Sequence, residues 1–249
     1  MTQRRRGRVL VPAAALFFVL LLALGTWQVQ RLGWKRELIA RVDARVTATP
    51  IDAPARAAWP SVTAERAEYQ RVRLQGRFLP DKAALVQATT DLGAGFWLLT
   101  PLARPDGSVV WVNRGFLPPE AREPSARGRS DPTGDVDVVG LLRITEPKGA
   151  FLRHNDPAAD RWYSRDIAAL TAARGLPAAD TAPYFVDAAR DPQQAEGTWP
   201  VGGLTVIRFP NNHLMYAITW YGMALLLVVG LVYAWRRGAL GPDDDNPAR

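Results

Sequence analysis

The chain contains no cysteine in its 249 residues. Disulfides, thiolate zinc sites, iron–sulfur clusters and thiol nucleophiles are therefore excluded together. Histidine is almost as scarce, with only His154 and His213. One copy of the chain cannot supply a zinc or copper centre of three imidazoles. Methionine occurs three times, as Met1, Met215 and Met223, so a thioether ligand to accompany a histidine is not obvious. The five serines, Ser61, Ser108, Ser125, Ser130 and Ser164, all lie outside a Gly-x-Ser-x-Gly elbow. Neither a Gly-x-Gly-x-x-Gly turn nor a phosphate-binding loop is present. His154-Asn155-Asp156 places two triad residue types together, but Pro157 follows and marks a turn, so His154 reads as a surface-loop residue. Asp243-Asp244-Asp245 reads as a solvated tail. The sequence is that of a protein without a catalytic constellation, not of an enzyme.

What is present is two long uncharged runs. Val9–Trp27 is 19 residues and Leu214–Trp235 is 22. As helices they span about 28 and 33 Å, close to the hydrocarbon thickness of a bilayer. The mean hydropathy of the whole chain is only −0.10, so the remainder is polar enough to stand in water. For the first run, Arg4, Arg5, Arg6 and Arg8 with the small residues Ala23 and Gly25 leave a cleaved signal peptide as the rival to a retained anchor. The run is longer than a signal h-region, which favours the anchor. Arg236 and Arg237 follow the second run directly. Positive residues stay on the cytoplasmic side, so both ends are expected there and the long segment between them on the far side. More than half of the net charge of +7 sits in the flanks. The basicity is thus a topology signal, and no nucleic-acid surface is expected. Trp27, Trp34, Tyr216, Trp220, Tyr221, Tyr233 and Trp235 sit at the ends of the runs, where amphipathic rings favour the headgroup layer.

Between the runs, Leu32–Val46 carries apolar residues on one helical face and is expected to continue the first helix. Residues 47–67 are rich in Ala and Pro without periodicity and read as a surface connection. Strands are expected at 69–76, 84–88, 96–100, 109–113, 136–144, 184–187 and 204–209. Arg104-Pro105-Asp106-Gly107-Ser108 predicts a hairpin between two of them. A short helix is expected at 165–174, stopped by Gly175, and a long mobile loop at 118–134. The fold class is α+β: two transmembrane helices flanking a mainly β, barrel- or sandwich-like domain with a few short helices. The boundaries are a tail at 1–8, a span at 9–27, the β domain at 28–213, a span at 214–235 and a tail at 236–249.

His213 is the one residue of possible cofactor chemistry. Pro210 suits a helix start and Asn211 or Asn212 a cap, which puts His213 in the first turn of the second span. Tyr216 and Ala217 share its face, Trp220 lies beyond, and Met215 does not. Two readings stay open from spacing alone. His213 is an interfacial residue bonded to water or backbone, or it is an axial ligand to haem iron, for which a single imidazole suffices.

The segment Pro210-Asn211-Asn212-His213-Leu214 running into Tyr216-Ala217-Ile218-Thr219-Trp220-Tyr221-Gly222 resembles the surfeit locus protein 1 family. In the same order stand Gly25-Thr26-Trp27-Gln28 with Arg31-Leu32 and Trp34-Lys35, then Glu68-Tyr69-Gln70-Arg71-Val72 with Gly76-Arg77-Phe78. Val112-Asn113-Arg114-Gly115-Phe116 with Pro118, and Arg165-Asp166, complete the likeness. The resemblance implies an assembly factor of cytochrome c oxidase in the inner membrane, with both ends inside and a periplasmic domain between the spans. It implies transient binding of haem a, with His213 as the iron ligand and Tyr216 and Trp220 as weaker neighbours. It also implies the oxidase catalytic subunit as partner, with membrane lipid around the spans and the haem A synthesis machinery as a further contact. A scaffold that holds the oxidase subunit without touching haem remains the alternative. Asn113-Arg114-Gly115 is expected to be structural, with Gly115 permitting a tight strand end. Met215 departs from the family pattern, in which a polar residue such as Gln is expected.

Overall fold

In a computed structural model of the protein, residues 3–128, 131–147 and 153–237 are described, with the side chains of 3–9 left aside. The basic cluster Arg4–Arg8 and the tail beyond Arg237, on which the topology argument partly rests, thus fall outside the described side chains. The chain divides into two compact units, one of 1–40 with 208–249 and one of 41–207.

The elements follow in the order α1 (Gln3–Thr47), β1 (Ile51–Asp52), α2 (Ala64–Ala67), β2 (Arg71–Phe78), β3 (Ala84–Thr90), β4 (Gly93–Ala103), β5 (Val109–Leu117), β6 (Asp135–Ile144), α3 (Ile167–Ala173), β7 (Thr181–Ala188) and α4 (His213–Arg236). The first span and its charged continuation form one unbroken helix of 45 residues. At 1.5 Å per residue α1 is about 68 Å long, more than twice a hydrocarbon core. Two helices, α1 and α4, are long and apolar enough to cross a membrane.

The strands form a barrel rather than a sandwich. β2 pairs with β6, β6 with β7 and β5 with β4, all antiparallel, while β5 and β7 run parallel. β2 returns to β4 through Arg77↔Ala103 and Phe78↔Leu102, which closes a ring of five strands. β1 lies parallel on the remaining edge of β2, and β3 extends the sheet from β4. Closure gives each of the five ring strands a neighbour on both sides, and β1 and β3 form the outer edges of the sheet.

Alternation in β2 places Val72, Leu74 and Phe78 inward and its arginines outward. β5 is buried at all nine positions because both of its faces are covered. On the inner face Val110 and Val112 meet Leu102, Leu142, Tyr184 and Val186. On the other, Trp111 packs with Trp162, Phe185, Ile167 and Leu170, and its indole Nε1 donates to Thr171 Oγ1 of α3 at 3.0 Å. The side chain of Asp166 caps α3 by accepting from the Ala169 amide.

Several expectations are corrected. The predicted strand at 204–209 does not form. The chain bridges to β5 just before the segment, at Val201 opposite Phe116, and within the segment Val206 is 64% exposed. In a closed ring β5 and β7 already have neighbours on both sides, so no further edge is open to it. The connection at 47–67 holds β1, α2 and a 3-10 turn at Arg56–Ser61. The described part of 118–134 holds short structure that the loop reading missed: a 3-10 turn at Pro119–Ala121 buries Ala121, a second follows at Pro124–Ala126, and Arg114 pairs with Asp131 at 2.6 Å. The hairpin at 104–108 forms, with Asp106 accepting from both the amide and hydroxyl of Ser108. Those bonds hold the Asp106 carboxyl below its ordinary value. Gly115 is required by a close approach: its φ is +131°, and a Cβ there would collide with the Val201 carbonyl.

A buried charge network ties this unit together. Asp187 on β7, 4% exposed, accepts from Asn113 (2.8 Å), Arg143 (3.0 Å), Arg165 (3.2 Å) and Thr205 (2.9 Å). Arg143 also reaches Glu68 and Glu146, and it lies over the Tyr69 ring at 5.0 Å. Burial works against the Arg143 charge, yet Asp187, Tyr69, Glu146 and Glu68 outweigh it and hold its pKa above the ordinary value. Asp187→Ala leaves two half-buried guanidiniums without their shared partner. Denaturant unfolding of this variant should show a loss of about 3–5 kcal/mol, the cost of breaking a buried pair.

Tyr184 generates a second prediction. Its hydroxyl donates to the Pro54 carbonyl at 3.0 Å, and burial pushes its pKa from 10.0 up to about 12. The folded state keeps a proton that the unfolded state gives up, so its stability contribution is complete below pH 10.0 and is lost as pH rises toward about 12. Tyr184→Phe should flatten that alkaline decline in circular-dichroism unfolding, while costing about 1 kcal/mol near pH 7 through the missing hydrogen bond.

Candidate functional site

In the helical unit, α1 buries Leu21, Gly25, Gln28 and Leu32, a stripe spaced by four, three and four residues. On α4 the matching stripe is His213, Ala217, Trp220 and Ala224, with both alanines buried and the other two half-buried. Such spacing keeps one face of each helix toward its partner. The helices touch at several described points. A Cβ on Gly25 would fall 2.8 Å from the Tyr221 ring, so glycine admits the aromatic side chain here. Thr26 Oγ1 and Tyr221 Oη are 3.1 Å apart. Lys35 Nζ stands 5.1 Å from the centre of the Phe209 ring. Contacts that climb α1 from 25 to 35 descend from 221 to 209, so the helices are antiparallel.

His213 is the first residue of α4. Asn212 holds the N-cap position but makes no side-chain cap bond. The His213 ring is tied instead across the helix pair: its Nδ1 lies 2.7 Å from Gln28 Oε1. With the amide oxygen as acceptor, a neutral ring carries its proton on Nδ1 and presents the lone pair of Nε2. Trp220 has a buried indole Nε1 with no hydrogen-bond partner among the described residues, and Asn211 Oδ1 is in the same condition. Tyr216 lies on the outer flank at 54% exposure, and Met215 is 67% exposed. Of the three residues singled out by sequence, His213 and Trp220 share the helix seam and Tyr216 stands beside it.

Gln28 was legible in sequence only as part of the Gly25-Thr26-Trp27-Gln28 stretch. Its signal is a polar residue where the stripe Leu21, Gly25, Leu32 calls for an apolar one. His154 is exposed in its loop, and Asn155 is spent on the amides of Tyr163 and Ser164. Among the described residues no group of three His, Cys, Asp or Glu is placed to hold a metal ion. The barrel surface carries open clefts of up to 610 Å³, bordered by residues such as Gln87, Phe96, Arg153 and Tyr163.

The SURF1 family model matches residues 15–225, a span that takes in α1 from its apolar part, the whole barrel and the seam residues of α4. The chain belongs to the SURF1 family. It is 35% identical to Surfeit locus protein 1 of Rattus norvegicus over 243 residues, covering 91% of this chain and 72% of that one. It is 32% identical to Surfeit locus protein 1 of Homo sapiens over 235 residues, covering 87% and 72%. A SURF1-like protein of Monosiga brevicollis is 34% identical over 248 residues, covering 94% and 90%. SURF1-family proteins are cytochrome oxidase assembly factors and generally not enzymes.

Proposed function

We propose that this SURF1-family chain holds haem a transiently on His213 and thereby assists formation of the haem–copper centre in the catalytic subunit of cytochrome c oxidase. The observation that carries this reading is the placement of the imidazole. His213 is half-buried at the seam of two membrane-compatible helices with its Nδ1 2.7 Å from Gln28 Oε1, an arrangement in which a neutral ring keeps the Nε2 lone pair for a ligand. A neutral imidazole with a free nitrogen is an axial ligand for haem iron. The orphaned Trp220 indole N–H supports it, because a buried donor without a partner is costly unless a ligand's acceptor group satisfies it. The apolar flanks of α1 and α4 suit a porphyrin with a hydrocarbon tail, and Tyr216 adds an aromatic surface on the outer side.

The mode of holding suits a carrier. This chain offers one imidazole and no obvious second ligand, since Met215 is turned outward and His154 belongs to the barrel unit. A cargo bound through a single axial bond leaves faster than one clamped from both sides. The barrel is then the surface that docks on the oxidase subunit. Both termini lie in the cytoplasm and the barrel in the periplasm of the inner membrane, as the arginine flanks direct.

Two measurements test this. Protein purified from cells that make haem A should carry a haem a spectrum, and His213→Ala should remove most of it; undiminished haem in the variant rules out the ligand role. Alkaline phosphatase fused at the Arg104–Ser108 turn should be active in intact cells, and an inactive fusion there reverses the orientation.

A further inference from the structure

The hydrogen bond between α1 and α4 has chemistry beyond packing. We propose that Gln28 is the positioning residue for His213: its side-chain oxygen fixes the imidazole as the Nδ1–H tautomer and presents Nε2 as the coordinating nitrogen. This deepens, and rests on, the reading of His213 as a haem ligand.

Neutral histidine has one N–H and one lone pair, and the partner of the protonated nitrogen decides which is which. An unrestrained imidazole in water favours the proton on Nε2, which would leave the lone pair on Nδ1, the nitrogen crowded by its own backbone. The Gln28 oxygen at 2.7 Å from Nδ1 reverses that preference. Metal-bound histidines generally donate their second N–H to an oxygen acceptor, which holds both tautomer and ring orientation.

Gln28 is itself held firmly. It is 8% exposed, and the contact between Gly25 and Tyr221 and the Thr26–Tyr221 bond lie within one turn of it on the same helix. Its placement therefore follows from the register of the helix pair. A neutral amide is also the fitting acceptor at this position. A carboxylate next to two apolar helices carries a heavy desolvation cost, and its charge would make the imidazole a stronger donor to iron. An amide orients the ring without adding charge, which keeps the bond to a cargo weak enough to break.

The chain's two histidines make the test direct, because a nitrogen-15 histidine spectrum of the detergent-solubilised full chain contains only His154 and His213. In the haem-free protein His213 should show the Nδ1–H tautomer, and Gln28→Leu should return it to Nε2–H with unchanged circular dichroism. Titrated with haem a, Gln28→Leu should bind about 10–100-fold more weakly, the usual penalty for losing such a partner. Gln28→Glu, which keeps an oxygen acceptor, should restore the binding to at least the level of the unaltered protein. An Nε2–H signal in the unaltered protein, or equal haem affinity in Gln28→Leu while His213→Ala loses the haem, overturns the role of Gln28 and leaves the ligand reading intact. Haem retained by His213→Ala overturns both.

Discussion

Asp187 is a carboxylate buried where four segments meet, and the barrel depends on keeping it satisfied. It collects Asn113 from β5, Arg143 from β6, Arg165 from the approach to α3 and Thr205 from the chain beyond β7. A charge this deep is tolerated only when paired and fully hydrogen-bonded. Each of those segments is therefore constrained in register as well as in position. The β5–β7 pairing is the parallel one in the ring, and Asn113 stands directly opposite Asp187 in it. The same network explains why Tyr69 adopts a positive φ of 63°: the Tyr69 amide bonds to Leu142, and the ring lies under the Arg143 guanidinium.

The helical unit obeys a different rule. There most of the apolar surface faces outward, with Leu16, Val19, Leu20, Leu225, Leu226 and Val229 exposed, and the inward stripes mix Leu21 and Leu32 with small residues and the polar pair Gln28 and His213. Helix pairs in lipid are joined by close packing at small residues and by a few hydrogen bonds, since lipid competes poorly for either. Gly25, Ala217 and Ala224 provide the first, and Thr26–Tyr221 and Gln28–His213 the second. His213 is thus part of the glue of the helix pair, and the geometry of the pair sets how its ring is held.

Within an assembly factor this division of labour is coherent. The barrel is rigidified by a saturated ionic network and carries no converging catalytic set among its described residues. The imidazole stands on the helical unit, which is compatible with a membrane and with an apolar cargo. Under the proposed reading, meeting a protein and meeting a tetrapyrrole would rest on elements with separate stabilising interactions.

Much of this was readable from residue order. The two apolar runs, the charged continuation of α1, the 104–108 hairpin, the short helix α3 and six of the strands follow from periodicity and turn chemistry, which are local. Likewise His213 stands out because the chain has so few ligating side chains, and the family because its motifs keep their order. Local pattern failed where pairing was decisive. Residues 204–209 have strand propensity but no free edge to join, and residues 118–134 look like a loop until the Arg114–Asp131 pair and Ala121 fasten them. The sequence by itself determined the membrane-compatible helices, the β-rich middle and the imidazole. Only the tertiary structure decided that the sheet closes into a ring, that Asp187 is its ionic centre, and that Gln28 meets the His213 ring 185 positions away. Those outcomes are contacts between distant residues, and a one-dimensional pattern carries no term for the space that folding brings together.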